Sequence, residues 1–154
     1  MKEYEYSFEV KNLTPFINYC EENNYNLTNK NKQSRTIYRN ANKTMARITI
    51  EEKNGITTKK LDFKDDMLLD QDLIERRESL PINFDDEKAV ESILEFLHYS
   101  KDNTLIRTRY VYEKNNVKFE IDEYEQPRKT FVVAVEGEKT QVDAVYNEIQ
   151  KLKE

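Results

Sequence analysis

The sequence predicts an α+β fold: an antiparallel, roughly eight-stranded β-barrel or tunnel with helices packed outside it. Three observations point there. Short stretches place charged residues at every second position, as in Glu3 and Glu5, Lys60, Asp62 and Lys64, Arg107 and Arg109, or Lys118, Glu120 and Asp122. Each such stretch, read as a strand, has one charged face and one largely apolar face. The connections between stretches are short, so neighbours run antiparallel. Apolar residues make up 37% of the chain and charged residues 36%, against about 45–50% and 25% in ordinary soluble domains. A partly polar interior fits that balance.

The elements follow in order. Residues 3–10 alternate and are rich in β-forming side chains, predicting the first strand. Thr14 before Pro15 reads as a helix N-cap, followed by the apolar stripe Phe16, Ile17, Tyr19 and Cys20. The Asn- and Lys-rich stretch 23–33 reads as a loop or mobile lead-in. Residues 34–39 and 44–51 form a hairpin around Asn40–Lys43, and 56–64 a strand after the Asn54-Gly55 turn. Residues 65–73 are acidic and mixed, a loop or short helix, and 76–80 a short strand ending before Pro81. Asp85 and Asp86 cap a helix whose Val90, Ile93, Leu94 and Leu97 share one face. Residues 105–113 and 117–124 form a second hairpin, 130–136 the last strand, and Val142, Val145, Ile149 and Leu152 the stripe of a closing helix. The Tyr residues read as packing for the barrel and its helices, with Tyr38 and Tyr112 also able to reach the tunnel; His98 reads as a residue of the middle helix's C-terminal end, and Cys20 as a packing residue.

At 154 residues, with no internal repeat and no linker, one domain spanning 1–154 is expected. The net charge of −5 argues against general nucleic-acid binding, though not against a local basic pocket. A single cysteine precludes an internal disulfide and suits a reducing compartment. The first residues have no apolar signal core, and no apolar run is long enough to span a membrane. A cytoplasmic protein without membrane partners is expected.

A sheet rich in acids and bases on one face usually shows that face to water. If the sheet closes, those charges line a channel fit for a polyanion and its metal ion. A triphosphate needs several converging Arg or Lys side chains, and its Mg²⁺ or Mn²⁺ needs carboxylates. Such a site must interleave the two. The acids on offer are Glu3, Glu5, Glu78, Glu120, Asp122 and Glu136; the bases are Arg47, Lys64, Arg76, Arg107 and Arg109.

Glu3-Tyr4-Glu5-Tyr6-Ser7-Phe8 resembles the Glu-x-Glu-x-Lys-Phe signature that opens the CYTH superfamily, the triphosphate tunnel metalloenzymes. Arg47 falls at the first position of that family's Arg-x-Arg pair, and Leu61-Asp62-Phe63-Lys64 resembles its Leu-Thr-x-Lys strand. Arg76-Arg77-Glu78 fits Arg-x-Glu, Arg107-Thr108-Arg109 fits Lys/Arg-x-Arg, and Glu120-Ile121-Asp122-Glu123-Tyr124 is similar to Glu-Ile-Asp-Glu-Phe. Ala134-Val135-Glu136 stands where the family has Glu-x-Glu, although a shifted alignment makes Glu136 and Glu138 the pair. Each motif is weak alone; their order along nearly the whole chain is specific.

The resemblance implies metal-dependent hydrolysis of a small-molecule triphosphate, inorganic or organic. It puts the metal at Glu3, Glu5, Asp122 and Glu136, the phosphates at Arg47, Lys64, Arg76, Arg107 and Arg109, and catalytic carboxylates at Glu5, Glu78 and Glu120. The expected ion is Mg²⁺ or Mn²⁺, and a homodimer is compatible with the reading. The chain departs from the family at Ser7, Thr49 and Ala134, where a Lys, an Arg and a Glu are expected. Two lost cations favour, as the alternative, a weakened or inactive binder of nucleotide or polyphosphate. A class IV-type adenylyl cyclase ranks third, because no adenine-pocket signature is present and the Arg pair is depleted at Thr49.

Overall fold

Alternation along the strands determines the architecture. The computed structural model describes residues 2–153. In chain order these form β1 (Lys2–Val10), α1 (Thr14–Glu22), β2 (Asn26–Arg39), β3 (Met45–Lys53), β4 (Ile56–Leu68) and β5 (Leu73–Glu78). The two-residue β6 (Ile82–Asn83), α2 (Glu87–Phe96), β7 (Ser100–Lys114), β8 (Val117–Gln126), β9 (Thr130–Gly137) and α3 (Lys139–Ile149) follow, with a final 3₁₀ turn (Gln150–Lys153). Eight strands run in the order β3-β2-β7-β8-β9-β1-β5-β4, and β4 pairs back onto β3 to close the ring. The pairings are antiparallel throughout, and β6 adds to β4 beyond the end of β5. The sheet is thus the expected barrel, and its charged faces turn inward.

Because the interior is charged, the apolar core lies outside the barrel. The outward residue Phe8 of β1 packs with Phe119 and Ile121 of β8, Val133 and Val135 of β9, Phe16 and Cys20 of α1, and Val142 and Ile149 of α3. Each such fully buried side chain contributes about 1.5–3 kcal/mol of hydrophobic stabilisation. A second, smaller cluster seats Leu94 of α2 on Tyr38, Ala46 and Ile48, with Phe63, Phe84 and Tyr99 around them. The closing helix is also tied by polar contacts: Tyr6 stacks on Tyr146 at 3.8 Å between centroids, and Tyr146 donates its hydroxyl to Asp72. At the β9–α3 junction Gly137 is required, since a Cβ there would lie 2.9 Å from the backbone oxygen of Asn116.

Several boundaries differ from the sequence expectations. Residues 26–33 belong to β2 rather than to a loop, because Asn29 and Gln33 of the inner face line the cavity, with Asn31 between them bonded to Glu51, while the outer face meets water. Both faces are polar, so no apolar period betrays the strand. β4 also continues to Leu68, through residues expected as loop or helix. The strand expected at 76–80 begins earlier, at Leu73, and β7 begins at Ser100. Leu13, not Thr14, is the N-cap of α1, and Asn12 Oδ1 accepts from the Thr14 amide at 3.0 Å. On α2 only Leu94 is buried, while Ile93 and Leu97 are exposed. His98 lies past the helix end with φ 67°, where the chain turns sharply into β7. Tyr38 and Tyr112 face the two outer clusters and do not line the cavity. Cys20 is buried, and burial pushes its thiol up to about 12, so it is a packing residue.

Candidate functional site

The barrel encloses a cavity of about 510 Å³. Its carboxylate wall comes from three adjacent strands, β8, β9 and β1. Glu5 lies opposite Glu136 in the β1–β9 ladder, and Glu120 lies opposite Ala134, two residues before Glu136. That register gathers one carboxylate oxygen from each of Glu5, Glu120 and Glu136 to within 4.8 Å of one another.

Three acids at that spacing, Glu5 and Glu136 buried and Glu120 half-buried, cannot all be charged at little cost. Burial first, then Glu120 and Glu5, raises the Glu136 pKa well above the usual carboxylate value. Arg76 at 3.1 Å and Lys118 at 3.3 Å favour the charged form of Glu136, but Arg76 is shared with other carboxylates and does not prevail. Burial also works against charge on Glu120, yet Arg109, a hydrogen bond from Glu136 and Lys118 hold its pKa well below the usual value. Within the group, Glu136 therefore binds its proton more tightly than an ordinary carboxyl and Glu120 less tightly.

The basic residues fall into two groups. Arg47, Arg76 and Arg109 are fully engaged by acids. Arg47 grips Asp62 through Nε at 2.8 Å and Nη2 at 2.5 Å, and reaches Glu78 at 3.4 Å. Arg76 contacts Glu5 at 2.7 Å, Asp66 at 3.2 Å and Glu78 at 3.5 Å besides Glu136. Arg109 holds both oxygens of Asp122 at 2.8 Å and Glu120 at 2.8 Å. Lys64 is only partly compensated: it pairs with Asp66 at 3.2 Å, but burial and then Arg76 lower its pKa to about 8. Arg107 and Arg35 have weaker partners. Arg107 donates to Gln33 at 3.0 Å and to the Tyr124 hydroxyl at 2.9 Å, with Asp122 4.0 Å away. Arg35 donates through Nε to the Thr49 hydroxyl at 2.9 Å.

All the expected phosphate-side residues line this cavity, as do Glu5, Glu78, Glu120, Asp122 and Glu136. Glu5, Glu120 and Glu136 form the compact group; Asp122 sits beside Arg109 and Glu78 beside Arg47 and Arg76. Glu3 is half-buried, opposite Arg76 in the β1–β5 ladder and outside the compact group. Sequence reasoning missed Arg35, Gln33, Asp66, Lys118 and Tyr124 as lining residues. The period-2 run Asn29, Asn31, Gln33, Arg35 was the available signal for β2, and Lys118 shares the face of Glu120.

No family model and no curated protein matches the sequence. Solved structures do. PH1012 of Pyrococcus horikoshii OT3 is similar with a TM-score of 0.77 at 17% identity, over 97% of this chain and 89% of that chain. HpAC1 from Hippeastrum, an adenylyl cyclase candidate with a dominant triphosphatase activity, is similar at 0.69 and 15% identity, over 98% and 87%. The Mimivirus capping enzyme triphosphatase is similar at 0.59 and 11% identity, over 99% and 90%. The chain shares the closed antiparallel barrel fold of these structures. Among the described residues, no helix is long and apolar enough to cross a membrane.

Proposed function

We propose that this tunnel hydrolyses a small-molecule triphosphate in a reaction dependent on Mg²⁺ or Mn²⁺. The observation behind this reading is that the cavity of one closed barrel holds both the Glu5–Glu120–Glu136 group and a set of arginines. The donor set fits a hard divalent cation, which takes oxygen ligands and is found with carboxylates and phosphates together. Glu5, Glu120 and Glu136 would hold it. When bound, such an ion polarises a phosphoryl oxygen and acidifies a coordinated water.

The chain's own side chains do the rest. Arg107, Lys64, Arg47, Arg76 and Arg109 converge from different strands to neutralise charge on the phosphoryl oxygens, a term that is usually the largest in such catalysis. Asp122 is a positioning residue, since it fixes the Arg109 guanidinium through two bonds. Glu78, braced by Arg47 and Arg76, would take the proton of the attacking water as its oxygen bonds to the terminal phosphorus and the bridging P–O bond breaks, giving orthophosphate and releasing the rest of the substrate as its diphosphate. A second reading, a binding module without turnover, draws on Ser7 and Ala134, which line the cavity without charge where the resemblance places Lys and Glu.

Products separate the readings. Phosphate release would be followed from tripolyphosphate, thiamine triphosphate and ATP, each with Mg²⁺ or Mn²⁺. Metal-dependent release is expected from at least one, and Glu5→Gln should lower it by about a hundredfold or more. Pyrophosphate release from ATP would instead indicate cyclisation, and tight binding without any release would leave the binding module.

A further inference from the structure

The tunnel departs from the family pattern by carrying Thr49 where a second arginine is expected, yet the cavity does not lack a cation at that level. Arg35 is the register partner of Thr49 across the β2–β3 ladder. Its Nε donates to the Thr49 hydroxyl at 2.9 Å, so the threonine anchors a guanidinium supplied by the neighbouring strand. Arg35 lines the cavity from β2, which lies four strand steps from β1 in either direction around the ring. It therefore faces Glu5 from across the barrel and stands two strands round from Glu120 on β8.

Two features mark this corner as built for an anion. Among the described residues Arg35 has no carboxylate partner, while Arg47, Arg76 and Arg109 each have at least two. Arg107, only 3% exposed, leaves its Nη2 with no hydrogen-bond partner, although Gln33 and Tyr124 fix its other donors. A buried guanidinium nitrogen without an acceptor is costly unless a ligand completes it. Arg35 and Arg107 act on each other too: burial first, then Arg107, Arg47 and Arg109, pulls the Arg35 pKa well below the usual arginine value. Unrelieved like charge of this kind destabilises the empty tunnel and is relieved when an anion enters.

We propose that Arg35 and Arg107, on the adjacent strands β2 and β7, form a phosphate-binding subsite, with Arg35 supplying from β2 the cation that Thr49 does not. The subsite rests on the reading of the tunnel as a triphosphate site, but it does not require hydrolysis. It takes a phosphoryl group of the bound polyphosphate that stands away from the metal. Arg35 donates through its planar fork and Arg107 through its free Nη2.

The test uses the full chain and tripolyphosphate, titrated by calorimetry once in EDTA and once with Mg²⁺. Arg35→Gln should weaken binding in EDTA by about tenfold or more, the worth of charge-assisted contacts. Arg35→Lys should keep a large part of the affinity, and Arg39→Gln, at an exposed position paired with Asp102, should change nothing. Because Arg35 crowds other cations, R35Q should also melt no lower than the wild type. Unchanged binding by R35Q, absence of tripolyphosphate binding by the wild type, or a lowered melting temperature of R35Q would each overturn the subsite. Hydrolysis fails separately: a wild type that binds through Arg35 but releases no phosphate keeps the subsite and sinks the activity. Turnover with a KM that R35Q leaves untouched does the reverse.

Discussion

Lys64 shows how much a single side chain's surroundings can change its chemistry. On the surface it would stay an ammonium at any physiological pH; in the tunnel, burial and then Arg76 bring its pKa to about 8. Asp66 pairs with it at 3.2 Å but is shared with Arg76, so compensation is partial. Polyphosphate affinity should therefore fall as pH rises through about 8, where the ammonium is lost, and Lys64→Arg should remove that inflection. Titration of tripolyphosphate binding between about pH 7 and pH 9 checks it; an inflection surviving in K64R assigns it elsewhere. The same scale marks the limit of sequence reading. Arg35 stood in plain view, but its value depends on lying beside Thr49 across a ladder, and that register is not written in either strand alone.

At the scale of elements, polar strands are the hard case. The inward face of β2 is polar because it lines a cavity, and its outward face is polar because it meets water, so the residues 26–33 look like a loop. β1, β8 and β9 were legible because their outer faces are apolar and packed by α1 and α3. Helix α2 shows the opposite error, an apolar stripe more regular than its packing. Leu94 is 1% exposed and Ile93 is 57% exposed, although they are neighbours on the same stripe. Leu94→Ala should cost about 2–5 kcal/mol and Ile93→Ala no more than about 0.5 kcal/mol. Urea unfolding of both variants distinguishes them, and equal losses would mean that α2 packs through its whole stripe. The ordered motifs were the other legible layer, since strand alternation alone carries Glu5, Arg76, Glu120 and Glu136 to one interior.

For the whole molecule, the inverted arrangement sets how stability responds to pH and metal. The apolar core holds the barrel from outside, while carboxylates and cations matched one for one line the cavity, and stability depends on how those charges are satisfied. Glu136 is the group that titrates against the fold. It faces Glu5, Glu120, Arg76 and Lys118, and its pKa is raised above the unfolded value by burial and the two acids. A carboxyl that binds its proton more tightly when folded stabilises the protein below the unfolded pKa and loses that contribution as pH rises through the folded one. In EDTA, thermal stability should thus decline from about pH 5 towards neutrality, by at most about 1.4 kcal/mol per pH unit from this group. The low pKa of Glu120 acts in a separate window, below the ordinary carboxylate value. Glu136→Gln should flatten the decline. A divalent cation competes with the proton, so the stabilisation by Mn²⁺ should grow with pH and be accompanied by proton release. Melting curves with and without Mn²⁺, and calorimetry in two buffers of different ionisation enthalpy, measure both effects. A decline unchanged in E136Q, or Mn²⁺ binding without proton release, would place the metal away from the Glu5–Glu120–Glu136 group.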